Sequence, residues 1–161
     1  MPSEQASRTL YTSGYQGLVI DQFIARLKQA GIETVVDIRA TPYSRKPDFT
    51  KQALADHLEI AGIAYRHIPA LGCPKPIRDA YGADHAQYEI HFKRYLATQQ
   101  DAVDALAVFS QTTSACLLCF EADHRECHRS LVAEACQRVQ AMPVVHLGQV
   151  ELPAQGLLGF D

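Results

Sequence analysis

The stretch Ala115-Cys-Leu-Leu-Cys-Phe-Glu-Ala-Asp-His-Arg-Glu-Cys-His-Arg-Ser130 decides how the rest of the chain is read. Its apolar run before Glu121 suits a strand covered on both faces, and the apolar positions Leu131, Val132, Ala135 and Val139 recur at helical spacing after Cys127. Strand, short polar loop and amphipathic helix therefore form one unit. A turn at the carboxyl end of a strand leaves unpaired backbone N–H groups and the positive end of a helix dipole side by side, here with Cys127, His128 and Arg129 in the first helical turn. Such a place suits an anion. It also favours a thiolate, which makes Cys127 a candidate nucleophile without saying what it attacks.

Working outward, the same alternation recurs. Thr9–Thr12 reads as a first strand, Gly14 and Gly17 supply a tight turn, and a helix follows from about Val19 to Ala30 with Leu18, Phe23, Ile24 and Leu27 inward and Gly31 at its end. Thr34–Arg39 is a second strand, followed by a loop with two prolines and a run of cations. Thr50 is placed to cap a helix to about Ala61, and Ile63–Ile68 is a third strand. Pro69–Gly82, with three prolines and two glycines, reads as a long loop carrying Cys73, Lys75 and Arg78. Asp84–Ser110 is helical, broken near Thr98–Asp101, with Asp101 able to cap the second piece; Pro143–Leu147 is a last strand. Strands alternating with helices imply a single α/β domain, a three-layer Rossmann-like, mainly parallel sheet with helices on both faces. Residues 9–147 are its core, and 1–8 and 148–161 read as weakly structured tails.

In such a sheet the crevice at the strand carboxyl ends takes the ligand. Ser13, Gly14 and Tyr15, then Arg39, Ser44 and Arg45, then His67, and finally Glu121 through Arg129 would all meet there. Several arginines around one crevice suit phosphate or carboxylate, which their planar fork can hold by two parallel bonds.

Composition narrows the partners. A net charge of −3 argues against a strongly basic nucleic-acid footprint, although a local arginine patch can still hold phosphates. No run approaches the roughly 18 apolar residues of a membrane span, and the first residues lack the apolar core of a secretion signal, so a cytoplasmic protein is expected. Five cysteines in a chain of 161 residues imply reduced thiols; a pair, if formed, points to redox chemistry rather than scaffolding.

The residues Tyr11-Thr-Ser-Gly-Tyr-Gln-Gly17, Val36-Asp-Ile-Arg39, Pro42-Tyr-Ser-Arg-Lys-Pro-Asp-Phe49, Gly62-Ile-Ala-Tyr-Arg-His67, Leu71-Gly-Cys-Pro-Lys75, Leu117-Leu-Cys-Phe-Glu121 and Cys127-His-Arg129 together make the chain resemble the DUF488 family, bacterial and archaeal α/β proteins of unknown function. The resemblance runs from about Leu10 to Leu147 and implies the fold and the place of the site, but no reaction. Gln16 stands where the family commonly has an acid, and Cys73 where Asn or Gly is expected.

The candidate roles are these. Cys127 is the nucleophile, Glu121 and His128 handle protons, and Ser13, Gly14, Tyr15, Arg39, Ser44, Arg45, His67 and Arg129 bind the anion; Arg129 has Glu121 as an alternative partner. Cys116 and Cys119, three apart on a strand, point to opposite faces and cannot chelate one ion together. Cys119 and Cys127 can instead approach one another, as a redox pair or as two metal ligands completed by His128 and His67. Cys116 and Cys136 read as core. Two classes of function follow: a cysteine-dependent enzyme on a phosphorylated or nucleotide-like substrate, or a nucleotide or nucleic-acid binding module in which Tyr15, Tyr43 or Tyr65 stacks on bases. A metal-dependent enzyme is the third alternative. A small anionic ligand is thus the expected partner; the residues name no cofactor and no oligomeric state.

Overall fold

The computed structural model describes residues 7–148. Five strands, β1 (Leu10–Gly14), β2 (Thr34–Asp37), β3 (Ala64–His67), β4 (Ala115–Cys119) and β5 (Val144–His146), form one sheet in the order β3-β2-β4-β1-β5. Every pairing is parallel, so each strand is reached through a crossover rather than a hairpin. The strand from the opening stretch is the middle one: all five residues of β4 are buried, and its register sets Cys119 beside Gly14 and Leu118 beside Asp37. Three strands therefore end nearly level at one edge.

Six helices complete the layers: α1 (Ile20–Gln29), α2 (Lys51–Ile60), α3 (Lys75–Tyr81), α4 (His85–Ala97), α5 (Gln100–Phe109) and α6 (His128–Val139). Phe23 and Leu27 of α1 and Leu54 and Leu58 of α2 pack with Val35, Cys116 and Leu118 on one face of the sheet. On the other face, Phe92, Leu96, Val103, Leu106, Val132 and Cys136 pack with Val36, Ala115 and Leu117. Strand alternation explains the split, since 35 and 36, or 116 and 117, point to opposite sides. Each fully buried Leu or Phe contributes roughly 1.5–3 kcal/mol, enough for both layers to hold without staples. The chain is a single-domain, Rossmann-like α/β fold.

Several boundaries differ from those the residues suggest. β1 continues to Gly14, and β2 stops at Asp37, because the Asp37 carboxylate accepts the Arg39 backbone N–H at 3.1 Å and turns the chain off the ladder. Pro69–Gly82 is not a plain loop: it holds a 3-10 turn at Pro69–Leu71 and the whole of α3. Pro76 lies in the first turn of α3, where the missing N–H costs nothing, so prolines that read as breakers here start a helix. Thr50 does precede α2, but its hydroxyl donates to the Pro47 carbonyl instead of capping. Asp101 lies inside the first turn of α5 with Gln99 at the cap, whereas Asp84 caps α4 by accepting the Gln87 N–H. The tails expected at 1–8 and 148–161 fall outside the described residues, apart from Ser7, Arg8 and Gly148. No helix among the described residues is long and apolar enough to cross a membrane.

Candidate functional site

The loop after β4 is tied to the strand ends by its backbone. The N–H groups of Tyr15 and Gln16 both donate to the Phe120 carbonyl, at 3.1 and 2.9 Å, and the Ala122 N–H donates to Gln16 Oε1 at 2.9 Å. Gln16 thus serves as an acceptor that no charge need supply. Gly14 permits this approach, since a Cβ there would overlap the Glu121 carbonyl. From beneath, the Arg129 guanidinium donates to Thr12 Oγ1 at 3.0 Å, to the carbonyls of Glu121 and Ala122, and to Cys119 Sγ at 3.6 Å. Arg129 is fully buried, and burial lowers its pKa to about 10, so it stays charged at neutral pH. Its side-chain bonds go to neutral acceptors, which leaves a positive field directly under Cys119.

A second hub lies at the end of β2. Asp37 accepts from Arg39 Nε and Nη2 at 2.9 and 2.7 Å and from the Tyr65 hydroxyl at 2.6 Å. Arg39 also donates through Nη1 to the Phe49 carbonyl at 2.7 Å and to the Tyr15 hydroxyl at 3.2 Å. Burial works against the Arg39 charge, but the ion pair with Asp37 more than offsets it and holds the guanidinium protonated above its ordinary value. Burial, then the bond to Asp37, raises the Tyr65 pKa. Tyr15 stacks on Phe49 with ring centroids 4.3 Å apart. This cluster fixes the loop that follows β2.

At the junction of β4 and α6 the sulfurs of Cys119 and Cys127 are bonded to one another, with Cα atoms 7.3 Å apart. Cys127 caps α6, its sulfur accepting the Arg129 backbone N–H at 3.5 Å. His128 Nε2 lies 2.8 Å from the Ile38 carbonyl, which can only accept, so Nε2 carries the proton. Nδ1 then presents its lone pair to Cys127 Sγ, 3.7 Å away. Burial lowers the His128 pKa to about 4 and keeps the ring neutral. In the reduced chain Cys119 is placed to donate to Glu121 Oε1, 3.7 Å distant. Among the described residues, Cys119, Cys127 and His128 bring their ligand atoms within 4.8 Å of one another, a set able to hold a metal once the sulfurs are reduced.

Above this junction opens a cavity of about 640 Å³ lined by Tyr15, Arg39, Thr41, Tyr43, Ser44, Arg45, Lys46, Cys73, Arg78, Cys119, Glu121 and His128, among others. Of the residues singled out from sequence, Tyr15, Arg39, Ser44, Arg45, Glu121, His128 and Cys119 meet on its wall. Ser13 does not: its hydroxyl donates to the Gly14 carbonyl at 3.0 Å and accepts from Arg26 Nη1. Gly14 lies under the loop. His67 donates Nε2–H to the Arg39 carbonyl at 2.8 Å and joins neither the cavity lining nor the sulfur cluster. Arg129 is beneath the wall, and Cys127 faces a separate cavity of about 410 Å³, beside His124 and His146. Those two rings stack at 3.6 Å, and His124 Nδ1 is buried without a hydrogen-bond partner among the described residues. Cys116 and Cys136 are core thiols whose pKa burial pushes up to about 12.

Lys46, Cys73 and Arg78 complete the wall and were not among the sequence candidates. Lys46 Nζ donates to the Leu18 and Tyr15 carbonyls. Arg78 comes from α3; reading Pro74-Lys-Pro76 as a helix start, rather than as loop, is the signal that brings it into view. The lining thus carries four cations, Arg39, Arg45, Lys46 and Arg78, against the single carboxylate of Glu121.

An open parallel sheet with cysteines and cations gathered at its carboxyl edge defines an α/β domain with a cavity at the strand ends. The chain belongs to the DUF488 family, described as a domain of unknown function, whose model matches residues 19–136. No curated protein and no solved structure matches it.

Proposed function

We propose that the chain is a cysteine-dependent enzyme acting on a phosphorylated or nucleotide-like anionic substrate held in the carboxyl-edge cavity. One observation carries the reading: Cys119 and Glu121, 3.7 Å apart, share the wall of a cavity with four cations. Arg45 and Arg78, both exposed, grip the anion, and Lys46, already hydrogen-bonded to backbone carbonyls, contributes field more than contact, while Arg39, balanced by its ion pair with Asp37, holds the wall in place. Sulfur chemistry then belongs to Cys119 together with Cys127 rather than to Cys127 alone, since Cys119 is the one on this wall. Glu121 handles protons there, and a cytoplasmic setting keeps the pair reduced.

A second reading, a nucleotide or nucleic-acid binding module, is favoured by Tyr43, which is 69% exposed beside the same cavity and offers a face to a base. Calorimetry of the reduced chain with inorganic phosphate and with AMP tests the shared anion site. Arg45→Ala and Arg78→Ala should each weaken binding roughly 10- to 100-fold, the loss of a charge-assisted contact of about 1.5–3 kcal/mol. Binding unchanged in both variants would place the anion elsewhere. A screen of phosphate esters and nucleotides separates enzyme from module: Cys119→Ser should retain binding and lose turnover, and a fully active Cys119→Ser would end the cysteine-dependent reading.

A further inference from the structure

We propose that Cys119, Cys127 and His128 of the reduced chain bind one thiophilic divalent cation of the zinc type, with a fourth coordination position open to the carboxyl-edge cavity. The inference rests on the reading above for what enters the cavity, and on the sulfur cluster alone for the metal.

Four observations converge. Cys127 Sγ and His128 Nδ1 are 3.7 Å apart, within the roughly 3.5–3.8 Å that a tetrahedral ion with Zn–S near 2.3 Å and Zn–N near 2.0–2.1 Å sets between its ligands, and the two sulfurs, bonded to one another here, must part to the same spacing once reduced. The Cα atoms of Cys119 and Cys127 are 7.3 Å apart, beyond the roughly 4.4–6.8 Å that a disulfide usually spans, so an ion between the sulfurs suits the backbone as it stands. Each ligand is also oriented from behind. Arg129 Nη1 donates to Cys119 Sγ, the Arg129 backbone N–H donates to Cys127 Sγ, and His128 Nε2–H is held by the Ile38 carbonyl, the arrangement by which outer groups fix metal ligands. Finally, Cys119 and His128 are on the wall of the larger cavity while Cys127 faces the smaller one, so an ion among the three looks out toward the proposed substrate.

Two thiolates and an imidazole form a soft donor set that selects zinc over magnesium or calcium. Two thiolates balance a dication, and three protein ligands with one open position is the pattern of a catalytic rather than a structural site. Glu121, on the cavity wall 3.7 Å from Cys119 Sγ, would be the carboxylate to take a proton from a water bound there. The sulfur–sulfur bond and the metal are alternatives: the metal needs both thiols reduced and displaces their protons on binding.

The test uses the full chain, reduced, chelator-stripped and titrated with cobalt(II) and then zinc. We expect one equivalent of cobalt, a near-ultraviolet thiolate charge-transfer band, visible bands of tetrahedral strength, and bleaching by one equivalent of zinc. Cys119→Ser should halve the charge-transfer band, and the oxidised chain should show none. In wild type, saturating zinc should protect Cys119 and Cys127 from alkylation, a readout that survives even if the variants fold poorly. No charge-transfer band, or undiminished labelling of both cysteines under zinc, overturns the proposal. Phosphate calorimetry on the metal-free chain keeps the two readings apart: a chain that binds phosphate but takes up no metal sinks only the metal, and one that takes up metal but binds no phosphate supports the metal and sinks only the substrate.

Discussion

Replacing Arg129 by lysine keeps the charge and removes the fork, and the structure says what that costs. The guanidinium serves Thr12 Oγ1 and the Glu121 and Ala122 carbonyls along two edges, besides Cys119 Sγ. An ammonium radiates three donors from one nitrogen and reaches at most one of those edges. The lost contacts to a charged donor cost about 1.5–3 kcal/mol where buried, as at Thr12, and less at the carbonyl of the exposed Ala122, so Arg129→Lys should lose roughly 2–5 kcal/mol of stability. For a chain of this length that is a fall in melting temperature of roughly 5–15 °C. Urea denaturation beside a thermal melt measures it, with Arg78→Ala, an exposed position, expected to stay within about 0.5 kcal/mol of wild type. If Arg129→Lys also stays within that margin, Arg129 does not hold the loop, and its role as a buried clamp is wrong.

Thiol reactivity should divide the cysteines: after reduction, iodoacetamide labels Cys119 and Cys127 well before Cys116 and Cys136, whose burial holds their pKa near 12, and peptide mapping reads the order. Stability should fall on mild acidification. Burial lowers the folded pKa of His128 to about 4, so the unfolded chain gains the proton first; the contribution is complete above the ordinary value near 6.5 and is lost as pH falls toward and through 4. That loss is on the order of 3 kcal/mol, visible as a melting temperature that drops across the window, and a flat profile would count against a neutral buried His128. Gly14→Ala should destabilise by roughly 1–3 kcal/mol, as overpacking does, because its Cβ would overlap the Glu121 carbonyl; a chemical melt equal to wild type would show the loop has slack.

What was legible in the sequence was local. β4 and α6 declare themselves through an apolar run and a helical stripe, and the alternation around them implies a parallel sheet. The position of β4 was not written locally: it comes late in the chain yet inserts between β1 and β2, a choice made by burial on both faces. At the site, a strand-end position told where a residue sits, not where its side chain goes. Arg39 reaches the cavity, but Arg129, of the same type, is spent on carbonyls beneath it. His67 is spent on the Arg39 carbonyl, and Ser13 turns toward Arg26. Arg78 was read on a long loop rather than on α3, because proline in a first helical turn looks, in sequence, like a break.

The most direct test of the central claim asks whether the anion and the thiol share one place. Reduced, chelator-treated chain is labelled with iodoacetamide, with and without saturating AMP, and the rate at Cys119 is followed by peptide mass spectrometry. AMP held by Arg45 and Arg78 should slow alkylation of Cys119 severalfold while Cys116 and Cys136 remain unlabelled. An unchanged Cys119 rate at a concentration where calorimetry shows the ligand fully bound would contradict it, since the anion would then lie away from the sulfur it is meant to meet.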